Sequence, residues 1–378
     1  MRIVIIGAGV VGASAALHLA GSGAEVTVVD ARLDGRATAA GAGIICPWAS
    51  GVEDESFYRL YAGGGEYYPE LVALLAAAGE TQLGYRRAGA MLVSGDLQEL
   101  DWIERMVRRR RASAAGIVTR VSSNEAQRLF PPLRDGFGGV HVAGGARVDG
   151  RLLAAALLRA AGSRGASIVQ GRAVLVVETG RVVAVDVGDE RIPADRVIVA
   201  AGAWANDVLR PFGLGGAVEP QRGQIVHLRL EHAETEDWPV ILPPGSHYLV
   251  PFDGGRIVVG ATRETGSGYD YRVTASGQAE VLSEALGIAP GLGGATMIET
   301  RVGFRPVSTG GRPLLGWVRG VEGLAVGNGL GASGLTIGPF AGRLLADLVT
   351  GERGLMDLAP FDPMRRAGSV VGAAGALR

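Results

Sequence analysis

Three glycines near the start of the chain, Gly7, Gly9 and Gly12, stand in the spacing G-x-G-x-x-G, and the acid Asp30 follows them. These residue types in this order suit the binding of a dinucleotide. Gly7 permits a tight turn, Gly9 lets main chain approach a pyrophosphate, and Gly12 lets a helix pack closely on a strand. A helix starting at Val10 and Val11 would aim unpaired N–H groups and its positive dipole end at the phosphates. Asp30, about 20 residues on, is placed to accept hydrogen bonds from ribose hydroxyls. An acid at that point argues against NADP and leaves NAD and FAD open.

These residues work only if particular elements hold them. The apolar run 2–6 predicts a buried strand, 11–20 a helix, and 25–29 a second strand ending on Asp30. A basic residue, an apolar run and the small residues 21–24 also fit a secretory leader, but a leader has no use for three spaced glycines or for a following strand that ends in an acid. A segment rich in small residues, 36–43, would let backbone lie against a ligand, as would the end of a buried strand at 196–204. Near the other end of the chain a short strand at 323–327 leads into Asn328-Gly-Leu-Gly-Ala-Ser-Gly-Leu-Thr336 and then a helix at 337–349. Two glycine-rich strand-to-helix turns so far apart suit one long ligand with two polar regions, which favours FAD over NAD.

In order and spacing, the segments 7–12 with Asp30, 37–47, 199–204, 220–224, 248–251 with 258–262, 303–306 and 327–339 resemble the D-amino-acid oxidase/glycine oxidase superfamily of FAD-dependent amine oxidoreductases. The resemblance runs from Arg2 to about Gly351. It implies an α/β fold: a Rossmann-like FAD-binding domain with an inserted α+β substrate domain on a mostly antiparallel sheet. The expected boundaries are 1–84, 145–218 and 303–365 for the FAD-binding domain, 85–144 and 219–302 for the substrate domain, and 366–378 for a flexible tail.

The family implies hydride transfer from the carbon bearing an amine to flavin N5, with the protein orienting the substrate. It also implies that Arg305 grips a substrate carboxylate through its planar fork, with Tyr248 in the same pocket. His247 and Trp48 are weaker pocket candidates, and Arg222 fits a supporting role. The cofactor contacts expected are Gly7, Gly9, Val10, Val11, Gly12, Asp30, Ala31, Arg36, Thr38, Ala39, Gly43 and Ile44 from the first part of the chain. Val174, Ala201, Gly202 and Trp204 follow from the middle. Arg305 with Gly329, Gly331, Ala332, Ser333, Gly334, Leu335 and Thr336 completes the set.

The departures are informative. Glycine oxidases carry an arginine where this chain has Ala332. Sarcosine oxidases use a lysine near the flavin and a late cysteine for covalent attachment. This chain has no lysine at all, and its one cysteine is Cys46. FAD is therefore expected to be noncovalent, and oxygen or an electron-transfer acceptor remains open as the oxidant. The missing lysine also excludes Schiff-base chemistry. A lone cysteine excludes an intrachain disulfide, and the five scattered histidines show no metal-binding spacing.

A formal charge of -1 argues against nucleic acid as a partner, and no apolar run is long enough to span a bilayer. The expected setting is cytoplasmic, with a small amino or imino acid as substrate and homo-oligomerisation left open. Arg108 to Arg111 read as a solvated helix end. The alternatives to an amine oxidoreductase are a flavin-dependent monooxygenase, disfavoured because Asn328 stands where an acid would be needed, and a non-catalytic flavin-binding subunit.

Overall fold

The computed structural model describes residues 1–110 and 113–365. Two large sheets organise it. The first has six strands in the order Leu314–Trp317, Leu324–Asn328, Arg196–Val199, Arg2–Ile6, Glu25–Asp30, Ser167–Gln170. Every neighbouring pair is parallel except the edge pair Leu314–Trp317 with Leu324–Asn328. Parallel strands are buried on both faces and so read as unbroken apolar runs, which is why Arg2–Ile6 and Arg196–Val199 were visible in the sequence.

Helix Val10–Leu19 crosses back over this sheet and packs against Gly150–Ser163 and Gly334–Thr350. The approach to Gly334–Thr350 is close enough that a Cβ on Gly342 would come within 2.5 Å of the Val11 carbonyl. A small antiparallel sheet, Ala173–Glu178 with Arg181–Val187 and Glu190–Pro193, hangs from one side of the parallel layer.

The second large sheet has eight strands: Thr296–Ser308, Val218–Arg229, Arg256–Gly260, Tyr248–Pro251, Val240–Leu242, Ala90–Ser94, Gly138–Val142, Val118–Val121. Only the pair Val240–Leu242 with Ala90–Ser94 is parallel. One face buries Val226, Leu228, Leu249, Ile257 and Val259 under helix Ala275–Ile288. The other carries Ile225, Val250 and Val258 and faces Cys46 and Trp48. The whole is a mixed α/β fold, with a Rossmann-like layer beside a mostly antiparallel sheet.

Several features differ from the sequence expectation. The stretch 218–298 reads in the sequence as alternating strands, but it contains helix Ala275–Ile288, capped by Thr274, whose hydroxyl accepts from Gly277 N–H. Strand Thr296–Ser308 runs uninterrupted through residue 303, so Arg305 belongs to the eight-stranded sheet. The basic run is not a uniformly solvated end. The helix stops at Arg109, and Arg110 folds back over the Tyr58 ring at 4.7 Å and donates to the Ser50 and Val52 carbonyls. Arg111 and the expected tail 366–378 lie outside the described residues. No helix among the described residues is long and apolar enough to cross a membrane.

Candidate active site

The carboxyl ends of the parallel strands and the concave face of the eight-stranded sheet enclose one cleft of about 1510 Å³. That position follows the rule for open α/β sheets, which bind ligands beyond the strand carboxyl ends.

One end of the cleft is built from main chain. Gly7 has φ +109, and a Cβ there would come within 2.4 Å of the Ala200 carbonyl oxygen. The turn can therefore close only around glycine. Helix Val10–Leu19 begins at Gly9 without a side-chain cap, so N–H groups of its first turn remain available to a ligand. Thr38 Oγ1 accepts from Val10 N–H at 3.1 Å and fixes the mouth of the turn.

Asp30 accepts from the N–H groups of Ala8 and Arg32, both at 2.7 Å, and lies 3.7 Å from Arg36. A carboxylate offers about four lone-pair sites, so two bonds leave room for ribose hydroxyls. Val174 stands exposed and also lines the cleft.

The late glycine-rich turn meets this end from across the sheet. Asn328 Nδ2 donates to the Gly202 carbonyl at 2.8 Å, and its Oδ1 accepts from Gly329 N–H at 2.8 Å. That side chain ties the late turn to the strand end that carries Ala201 and Gly202. Gly331, with φ +54, leads into helix Gly334–Thr350, whose cap residue Ser333 makes no capping bond and instead donates to the Leu330 carbonyl.

The expected cofactor residues Gly7, Gly9, Val10, Val11, Asp30, Ala31, Arg36, Thr38, Gly43, Ile44, Val174, Ala201, Gly202, Trp204, Gly329, Gly331, Ala332, Ser333, Gly334 and Leu335 all line the cleft. Three of the expected residues lie off its wall. Gly12 sits behind the turn, where a Cβ would strike the Gly7 carbonyl. The Ala39 carbonyl accepts from Arg151 and Arg301. Thr336 is buried and donates to the Ile44 carbonyl at 2.9 Å.

The other end is built from side chains on two paired strands. Gln221 lies opposite Arg305, and Gly223 opposite Gly303. Alternate residues of a strand share a face, and here Gln221, Gly223, Ile225, Gly303, Arg305 and Val307 all face the cleft. The Arg305 guanidinium lies over Gly223, where an added Cβ would sit 2.5 Å from Nη1. Its Nη1 donates to the Thr262 carbonyl at 3.0 Å.

Among the described residues no carboxylate lies within 4.0 Å of Arg305. Burial holds its pKa below the ordinary value, and the Tyr248 phenol nearby offsets this only in part. Tyr248 shares the wall; burial raises its phenol, while Arg305 and Arg263 pull it back. A buried cation without an acid partner is costly unless an anion arrives to pair with it.

His247 lines the cleft, with Nε2 3.4 Å from Glu280 Oε1. Trp48 does not line it: the ring is buried in the core beneath the sheet. Arg222 is bound to Glu264 and Asp270 and supports the sheet from its far face. Burial pushes the Cys46 thiol up to about 12, so it stays protonated and unreactive. The sequence reading missed Arg263, which lines the same end. It directly follows the segment 258–262 that had been singled out, but no motif marks it.

The described residues contain no cluster suited to a metal ion. The cleft does suit FAD: it is long enough to join two uncapped helix starts, it carries a free-lobed carboxylate at one end, and it ends at an unpaired arginine.

Comparison with known proteins agrees with this geometry. Residues 2–348 match the model of a family described as FAD dependent oxidoreductase (DAO). The chain is 49% identical to the uncharacterised oxidoreductase YurR of Bacillus subtilis, covering 95% of this chain and 98% of that protein. It is 32% identical to glycine oxidase of Pseudomonas putida, covering 97% and 99%. Among solved structures, iminodiacetate oxidase (IdaA) from Chelativorans sp. BNC1 superposes with a TM-score of 0.93 at 54% identity, covering 96% and 99%.

Proposed function

The chain belongs to the DAO family of FAD-dependent oxidoreductases, and from that premise we propose that it oxidises the C–N bond of a small N-substituted glycine, with iminodiacetate as the leading candidate. The observation that carries this reading is Arg305, a cation facing the cleft with no acid partner among the described residues. The likeness to an iminodiacetate oxidase over nearly the whole chain supports the choice of substrate.

Bound FAD supplies the acceptor for the hydride that leaves the substrate α-carbon. The residues expected to hold it are the two glycine-rich turns, Asp30, Thr38 and the Ala201–Gly202 strand end. Arg305 grips the carboxylate next to the reacting carbon, and its planar fork fixes direction as well as position. The Tyr248 hydroxyl adds a hydrogen bond from the same side.

Ile225, Leu242 and Pro243 give that end apolar walls, which strengthens the ion pair by keeping water out. Among the described residues no carboxylate lies within 4.0 Å of Arg305, and burial raises the Tyr248 phenol, so this end anchors a substrate without presenting a carboxylate base beside the anchor. Loss of hydride leaves an imine. Water adds to it and splits the C–N bond, so iminodiacetate would yield glycine and glyoxylate.

Anaerobic mixing of the yellow holoenzyme with iminodiacetate, N-methylglycine, glycine and D-alanine tests the reading. Iminodiacetate should bleach the flavin fastest and release glyoxylate. Rapid bleaching by D-alanine with none by the N-substituted glycines would refute it. Hydrogen peroxide forming in step with glyoxylate in air would identify oxygen as the acceptor.

A further inference from the structure

The substrate end of the cleft holds a second arginine that the carboxylate anchor does not use. Arg263 follows directly on Thr262, whose carbonyl accepts the Arg305 hydrogen bond at 3.0 Å. The two guanidinium groups therefore spring from adjoining points on the same wall, and both line the cleft.

The acids nearest to Arg263 along the chain, Glu264 and Asp270, are already engaged. Glu264 Oε2 accepts from Arg222 Nε at 2.9 Å, and its Oε1 accepts from Gln224 Nε2 at 2.8 Å and from Thr262 Oγ1 at 2.7 Å. Asp270 is held by Arg222 and Arg272. Among the described residues, neither Arg263 nor Arg305 has a carboxylate within 4.0 Å. Arg263 is exposed to solvent, but it lines the same cleft as Arg305, and its charge adds to the burial that lowers the Arg305 pKa. Two like charges facing one space repel each other until anions occupy it.

We propose that Arg263 receives the second carboxylate of an iminodicarboxylate substrate while Arg305 holds the first. This rests on the function proposed above and names the residue that would set its substrate preference. The secondary amine would lie between the two anchors. Glycine or N-methylglycine would fill only the Arg305 position and leave Arg263 unpaired.

The test uses the holoenzyme and two ligands that cannot be oxidised as amines. Diglycolate is the ether counterpart of iminodiacetate, and methoxyacetate lacks its second carboxylate. Binding of each is read from the shift in flavin absorbance, in the parent and in Arg263→Gln. Diglycolate should bind the parent more tightly than methoxyacetate, and Arg263→Gln should lose about tenfold or more in diglycolate affinity. Methoxyacetate affinity and FAD content should not change, and Arg263→Lys should recover part of the loss.

Equal diglycolate affinity in parent and Arg263→Gln would overturn the proposal, as would equal losses for both ligands. If diglycolate discriminates as expected but iminodiacetate fails to bleach the parent flavin, the second carboxylate site stands and the proposed reaction falls. If iminodiacetate bleaches Arg263→Gln with the parent's KM, the site falls and the reaction stands.

Discussion

The two ends of the cleft are made of different material. The cofactor end is made of backbone: turns at Gly7 and Gly331, uncapped helix starts, and one carboxylate. The substrate end is made of side chains: Arg305 and Tyr248 project from a sheet whose strands come from distant parts of the chain, and Arg263 follows the end of strand Arg256–Gly260. Backbone recognition fails when something is added, because any Cβ fills the space that the ligand or the turn needs. Side-chain recognition fails when something is removed. Substitutions at the two ends should therefore separate cofactor binding from turnover.

The largest effect should come from adding bulk at the cofactor end. Gly7→Val places a β-branched residue at φ +109, against the Ala200 carbonyl. The purified protein should be colourless and melt well below the parent, as read by visible absorbance and circular dichroism. A yellow Gly7→Val protein with parental melting would break the contrast.

Acid should strain both halves together. His18, in the last turn of the helix that follows the cofactor turn, and His227, in the eight-stranded sheet, are both lowered to about 4, chiefly by burial. Above an unfolded pKa of about 6.5 both states are neutral and these groups cost nothing. As pH falls from there toward 4, the unfolded chain takes up protons that the folded one refuses, so stability falls. The loss should approach about 2–3 kcal/mol for each histidine. Urea unfolding between pH 7 and 4 measures it, and a flat profile would contradict the burial assigned to both rings.

Asp30→Ala should have the smallest of these effects. It removes an acceptor from the Ala8 and Arg32 N–H groups as well as from the ribose. FAD affinity should weaken by about 1–2 kcal/mol, while substrate KM in the saturated holoenzyme stays at the parent value. A changed KM at full FAD occupancy would show that the two ends are coupled.

The same difference in material explains what was legible in the sequence. Glycine spacing records a backbone shape directly, so the Gly7–Gly12 turn and the late loop could be read from one chain. The segments 248–251 and 258–262, singled out in the sequence, fall on or overlap strands Tyr248–Pro251 and Arg256–Gly260. Strands Ala90–Ser94 and Gly138–Val142 are short and buried, and carried too little pattern to be seen. Thr296–Ser308 was hidden by Gly303 and Pro306, which normally interrupt a strand. Helix Ala275–Ile288 contains Gly277 and Gly287 and lies between strands. Arg263 could not be found because its meaning depends on which acids other residues have already taken. That information lies in strand register and side-chain pairing.

The central claim is that Arg305 serves the substrate and not the cofactor. Rapid anaerobic mixing of iminodiacetate with Arg305→Ala holoenzyme tests it most directly. The account predicts parental FAD content and dissociation constant, with flavin reduction slowed by about 10- to 100-fold at subsaturating substrate, because the charge-assisted pair and the orientation it imposes are both lost. Flavin reduction at the parent's rate across all substrate concentrations would contradict it.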